Sequence, residues 1–210
     1  MSRRRLATVT AGLLVALGLP AATAEAVLPL PVDCSHGPVE LRWDGLTYDL
    51  DGTCGRVSVL ADDAVVRIPT ATRVVVRGHG NTVVTKSVDT LVVRGRNQEV
   101  RPAAVRVLRV ASPRTTVAVE GLVESAQITA RRATVTADRV SRARVPGSHN
   151  ALRTTGRGYD ASVGGDHNTL RYRHLDSLAV SGDDNSVRVR AGRTAVHDDG
   201  NRNRVRVRRR

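Results

Sequence analysis

From residue 63 onward the apolar positions of the chain recur at fixed offsets from a single turn site. After Asn81 they fall at Val83, Val88, Leu91 and Val93; after Gln98 at Val100, Val105, Leu108 and Val110; after Asn168 at Leu170, Leu175, Leu178 and Val180. Where a coil holds one more residue the second pair slips by one, as at Val74/Val76, Ala126/Ile128 and Ala161/Val163. Each pair is a short run of period two, the signature of a half-buried strand, and turn residues separate the runs. The turn site repeats most clearly in four phrases: Gly147-Ser-His-Asn150-Ala-Leu152, Gly165-Asp-His-Asn168-Thr-Leu170, Gly182-Asp-Asp-Asn185-Ser-Val187 and Gly200-Asn-Arg-Asn203-Arg-Val205. The pattern is Gly-x-x-Asn-x-apolar, with Asn150, Asn168, Asn185 and Asn203 separated by 18, 17 and 18 residues. The same period runs backward in degraded form through Ala133, Thr115, Gln98 and Asn81 to Asp63, giving about nine coils.

Strands this short and one-sided bury their apolar face only if successive coils stack, about 4.8 Å apart. The pattern therefore predicts an all-β chain: a parallel β-helix, or β-solenoid, of about nine coils of 17–18 residues, right-handed by the crossover rule. Composition agrees with a thin core. Phe is absent and aromatics are 2% of residues, leaving Val, Leu and Ala, whose size and branching suit a narrow pleated interior. The Gly of the phrase is expected to supply a positive φ, and the Asn column (Asn81, Asn150, Asn168, Asn185, Asn203) to hydrogen-bond from coil to coil or to satisfy turn backbone groups. Gly and Asn are lost between Ala111 and Ala133, so coils there are expected to depart from the pattern.

The ends read differently. Residues 1–26 have the form of an export leader, with Arg3, Arg4 and Arg5, an uncharged run from Leu6 to Leu19, and small residues at Ala22/Ala24 or Ala24/Ala26. The arginine cluster fits a twin-arginine signal or an ordinary Sec signal. The apolar run is short for a membrane span, and none is expected after cleavage. Residues 27–62, with Trp43, read as an amino-terminal cap, and residues 63–210 as the repeats. Cys34 and Cys54, the two cysteines, are expected to pair in an oxidising compartment.

The phrase Cys54-Gly-Arg-Val57-Ser-Val59, followed by repeats such as Gly182-Asp-Asp-Asn185-Ser-Val-Arg-Val189, resembles the exported Asn-rich repeat proteins of high-GC Gram-positive bacteria catalogued as domain of unknown function 3060. The likeness runs roughly from Cys34 to Val207. It implies export and a β-solenoid, and brings no activity with it.

The chain carries a formal +13, and losing three Arg and one Glu with the leader leaves +11. In the repeat frame Arg153, Arg171, Arg188 and Arg206 share one outward column, and Arg173 and Arg190 share the next. One guanidinium per coil would offer a regular positive surface to an anionic envelope polymer, acidic polysaccharide or lipid. The plainer reading is that outward strand positions must be polar and are filled with Arg. No aromatic residues interleave the stripe, which argues against nucleic acid as a specific target. His149, His167 and Asp184 occupy equivalent turn positions and make a weak divalent-metal candidate beside the simpler reading of a solvated turn. No cofactor is expected. Catalysis on a polysaccharide needs converging carboxylates, and Asp160, Asp176, Asp198 and Asp199 fall at scattered offsets. The sequence thus points to a secreted or extracellular, non-enzymatic structural or binding module, wall-associated or free; the alternative is a β-helix enzyme acting on acidic polysaccharide.

Overall fold

The computed structural model describes residues 28–208, so the expected leader lies outside the described residues. These contain sixteen strands: β1 (Leu30–Asp33), β2 (Val39–Leu41), β3 (Thr47–Asp51), β4 (Thr53–Val59), β5 (Val65–Val76), β6 (Thr82–Val93), β7 (Glu99–Val110), β8 (Thr116–Ile128), β9 (Thr134–Val145), β10 (Ala151–Thr154), β11 (Arg157–Val163), β12 (Thr169–Tyr172), β13 (His174–Val180), β14 (Ser186–Val189), β15 (Ala195–Asp198) and β16 (Arg204–Val207). All pair in parallel within one continuous sheet that winds on itself, each coil bonded to those before and after it. The chain is a parallel β-solenoid of about ten turns.

Register makes the columns explicit. Tyr48, Val66, Val83, Val100 and Val117 stand above one another, and Val135, Leu152, Leu170, Val187 and Val205 continue the line. The apolar positions picked out by the period are buried from Val83, Val88, Leu91 and Val93 to Leu170, Leu175, Leu178 and Val180, and Val205 in the last coil is half-buried. One further inward column escaped the pattern because its side chains vary: Ile68, Thr85, Val119, Ala137, Thr154, Tyr172 and Val189 are all buried. Tyr172 is too wide for a Val-sized column. Room comes from Gly158 across the coil, where an added Cβ would sit 2.8 Å from the Tyr172 ring.

Three expectations are corrected. In β5 to β9 the two runs of each coil join into one strand of 12 or 13 residues, because pairing to the next coil continues through the corner. The middle coils stay regular apart from one extra residue in β8, where register shifts between Val119 and Leu122. The amino-terminal segment is part of the ladder: β1 pairs with β3, β3 with β5, β2 with β4 and β4 with β5. Those coils were illegible because Ala64, not Asp63, stands level with Asn81, as the pairing of Val65 with Thr82 requires, and neither it nor Leu46 in the coil before is polar.

Cys34 and Cys54 form the disulfide, Cα to Cα 4.8 Å, both buried at this end of the core. It closes a separation of 20 residues, which restricts the unfolded chain by roughly 3 kcal/mol. Among the described residues no helix is long and apolar enough to cross a membrane.

Candidate functional site

The turn side of the solenoid is built by the Asn column, and its bonding is directional. The Asn168 side-chain oxygen accepts the Asn150 N–H at 2.8 Å, Asn185 accepts from Asn168 at 2.8 Å, and Asn203 accepts from Asn185 at 2.9 Å. In the other direction the Asn150, Asn168 and Asn203 amides donate to the carbonyls of Ala130, Gly147 and Gly182. Asn81 does the same one end earlier, donating to Ala61 and Arg77 and accepting from Ala64. The Asn81, Asn150, Asn168 and Asn203 amides thus close turns whose backbone groups would otherwise be unpaired inside the protein, while the Asn185 side-chain nitrogen finds no partner among the described residues.

The expected role of glycine holds at Gly78 and Gly95, with φ of 76° and 87°, but not in the four later phrases. There the residue just before Asn takes the left-handed conformation: His149 at 61°, His167 at 55°, Asp184 at 55° and Arg202 at 53°. Gly147, Gly165, Gly182 and Gly200 are needed for room instead, since an added Cβ would run into a backbone carbonyl of the preceding coil: Ala130, Gly147, Gly165 and Gly182 in turn.

Next to this turn, Arg153 pairs in register with Arg171, Arg171 with Arg188, and Arg188 with Arg206. All four are exposed, as are Arg173 and Arg190 two residues further along their coils. None of the six takes part in an ion pair among the described residues, whereas Arg106, Arg157 and Arg202 pair with Asp89, Asp176 and Asp184. Like charges opposite one another in a sheet repel, so the ladder costs stability and gains nothing from the rest of the chain.

The His/Asp column comes together as a stack. The His149 and His167 rings lie 4.8 Å apart and 7° from parallel. Asp184 approaches His167 at 3.8 Å but is held by two bonds of 2.7 Å from Arg202, which keep its carboxyl below the usual range. Among the described residues no group of three or more His, Cys, Asp or Glu is placed to hold a metal. Desolvation pushes the pKa of the exposed His149 down, helped by His167, Arg131 and Arg132 and opposed by Asp166. The sign follows: an unfolded histidine, near 6.5, takes the proton first, so stability is full above that pH and falls as pH drops toward the lowered folded value. The melting temperature of the wild type, relative to His149→Asn, is expected to fall between pH 7.5 and pH 5 in paired thermal melts; a constant difference would refute the effect.

The carboxylates considered for catalysis have separate partners. Asp160 accepts from Ser177, Asp176 from Arg157, Asp198 from Gly200 and Asn203, and Asp199 sits 2.8 Å from His197. The sequence reading passed over a second basic group, on the turn face of the middle coils: Arg96, Arg114, Arg131 and Arg132. Its signal was present, since Arg114 and Arg132 occupy the slot that His149 and His167 fill later, a slot read only for His and Asp.

Fold and surface together define an all-β solenoid with an unpaired guanidinium ladder beside an Asn-bonded turn. The resemblance read from the repeats is supported by a family model described as a protein of unknown function (DUF3060), which matches residues 145–202. The match takes in the first three Gly-x-x-Asn phrases, ends before Asn203 of the fourth, and is narrower than the span from Cys34 to Val207. No curated protein and no solved structure gives a significant match.

Proposed function

We propose that the protein is an exported, non-enzymatic module of the cell envelope or extracellular space, and that its arginine ladder holds an anionic polymer. The observation that carries this reading is the register of Arg153, Arg171, Arg188 and Arg206, one exposed and unpaired guanidinium per coil. Rungs spaced about 4.8 Å apart set a fixed charge repeat along the axis, and guanidinium groups bind carboxylate or phosphate through two parallel bonds. Export is supported by the leader pattern of residues 1–26 and by the Cys34–Cys54 disulfide, a bond that persists in oxidising compartments.

The test is retention on an immobilised polyuronate across a salt gradient. Replacing Arg171, Arg188 and Arg206 with Ser is expected to lower the eluting salt concentration markedly. A charge-matched triple of exposed arginines away from the ladder, Arg56, Arg77 and Arg94 to Ser, is expected to lower it far less. Equal loss in both triples would reduce the ladder to bulk charge, and unchanged retention in the first would remove it.

A further inference from the structure

The turn face carries a repeating contact that fails at one place. One residue of each turn offers a side-chain oxygen to the backbone N–H of the next coil: Asp44 to Asp62 at 2.7 Å, Asp62 to His79 at 2.7 Å, Ser148 to Asp166 at 3.1 Å, Asp166 to Asp183 at 2.8 Å and Asp183 to Asn201 at 2.8 Å. In the middle coils the same position holds Arg96, Pro113 and Arg131. None of these can accept, and the N–H groups of Arg131 and Ser148 have no acceptor among the described residues. Where the row is elsewhere mostly aspartate, two arginines and a proline stand there.

The surroundings agree. Pro113 is short and lies one coil from both Arg96 and Arg131, leaving a recess of about 260 Å³ lined by Arg96, Asn97, Pro113, Arg114, Arg131 and Arg132. No carboxylate pairs with any of its four guanidinium groups among the described residues. The coil-to-coil backbone bonds lengthen at this place. They measure 3.3, 3.3 and 3.2 Å at Asn97, Arg114 and Arg132, against 2.8 Å at Asp63, 2.9 Å at His149 and 3.0 Å at His167. The longer bonds fall where four guanidinium groups face one recess, and an anion seated between them would offset their mutual repulsion.

We propose that this recess is a binding site for a phosphate group, gripped by Arg96, Arg114, Arg131 and Arg132 and by the free backbone N–H groups of Arg131 and Ser148. Phosphate suits the donor set because its oxygens can accept from several guanidinium and N–H donors at once. The group could arrive as inorganic phosphate or as the monoester headgroup of a lipid. The site is separate from the ladder of Arg153, Arg171, Arg188 and Arg206, and either reading can fail alone.

The deciding variant is Arg131→Asp. It restores the acceptor for Ser148 N–H and removes one repelling charge, so it is expected to melt higher than the wild type while losing the anion; misfolding cannot then explain the loss. Calorimetric titration with inorganic phosphate, and sedimentation with vesicles containing phosphatidic acid, compare the wild type, Arg131→Asp and a charge-matched control on an exposed arginine outside both the recess and the ladder, Arg56→Asp. Expected are saturable binding of phosphate, vesicles or both by the wild type, at least a tenfold loss in Arg131→Asp, and less than a twofold change in Arg56→Asp. Binding of vesicles alone assigns the site to a lipid headgroup, and binding of phosphate assigns it to the free ion. Wild-type affinity in Arg131→Asp, an equal loss in Arg56→Asp, or no binding to either probe would overturn the proposal.

Discussion

Gly165→Ala is expected to lower stability by about 3 kcal/mol, while Gly164→Ala, one residue earlier, changes it by less than about 0.5 kcal/mol. A Cβ at 165 meets the Gly147 carbonyl and has the Pro146 carbonyl on its other side, both backbone, so the coils themselves must part. A Cβ at 164 finds nothing nearer than the Ser181 hydroxyl at 3.6 Å, and the φ of Gly164 is not positive. For a domain of this size the first change corresponds to a melting temperature lower by roughly 6–12 °C. Calorimetry on the two single variants checks this; equal shifts would mean that the glycines of the phrase serve something other than close approach of the coils.

Asn168→Leu is expected to cost a comparable amount, for a different reason. Leu keeps the volume but leaves the Asn150 N–H without its acceptor and the Gly147 carbonyl without its donor, both inside the turn. Each stranded backbone group costs about 1–3 kcal/mol, so a loss of about 2–6 kcal/mol follows. Asn203→Leu breaks the equivalent pair, from Asn185 and to Gly182, in the half-buried last coil where water can substitute. Its expected cost is less than half as large. Urea denaturation of both variants decides the matter, and equal costs would show that the column is not stabilised through burial.

The core was legible because a thin coil leaves little choice of side chain. An offset that reads Val83, Val100 and Leu170 must face inward whatever the local turn does. The Asn column was legible because a side-chain amide can accept from one turn and donate to another, and its recurrence three residues after Gly marks the site. Register in the first coils was hidden because Ala64 takes the Asn position without resembling it, and the polar Asp63 beside it drew the frame one residue off. The left-handed position was hidden because His149, Asp184 and Arg202 share a backbone conformation but no chemistry. The ladder could be numbered from sequence; that its arginines lack partners could not, since Arg157, equally exposed, is paired with an aspartate from the next coil. The basic recess needed the observation that Pro113 stands level with Arg96 and Arg131, which no spacing within one turn reveals.

The two ends of the molecule differ in a way that sets how it comes apart. One end is stapled by Cys34–Cys54, while at the other β15 is exposed throughout and β16 half-covered, with Val196 44% accessible. Loss of structure in a stack of nearest-neighbour units starts where the units are least covered. The rod should therefore fray from its carboxy-terminal tip, and amide hydrogen exchange should slow progressively from β16 toward the central strands.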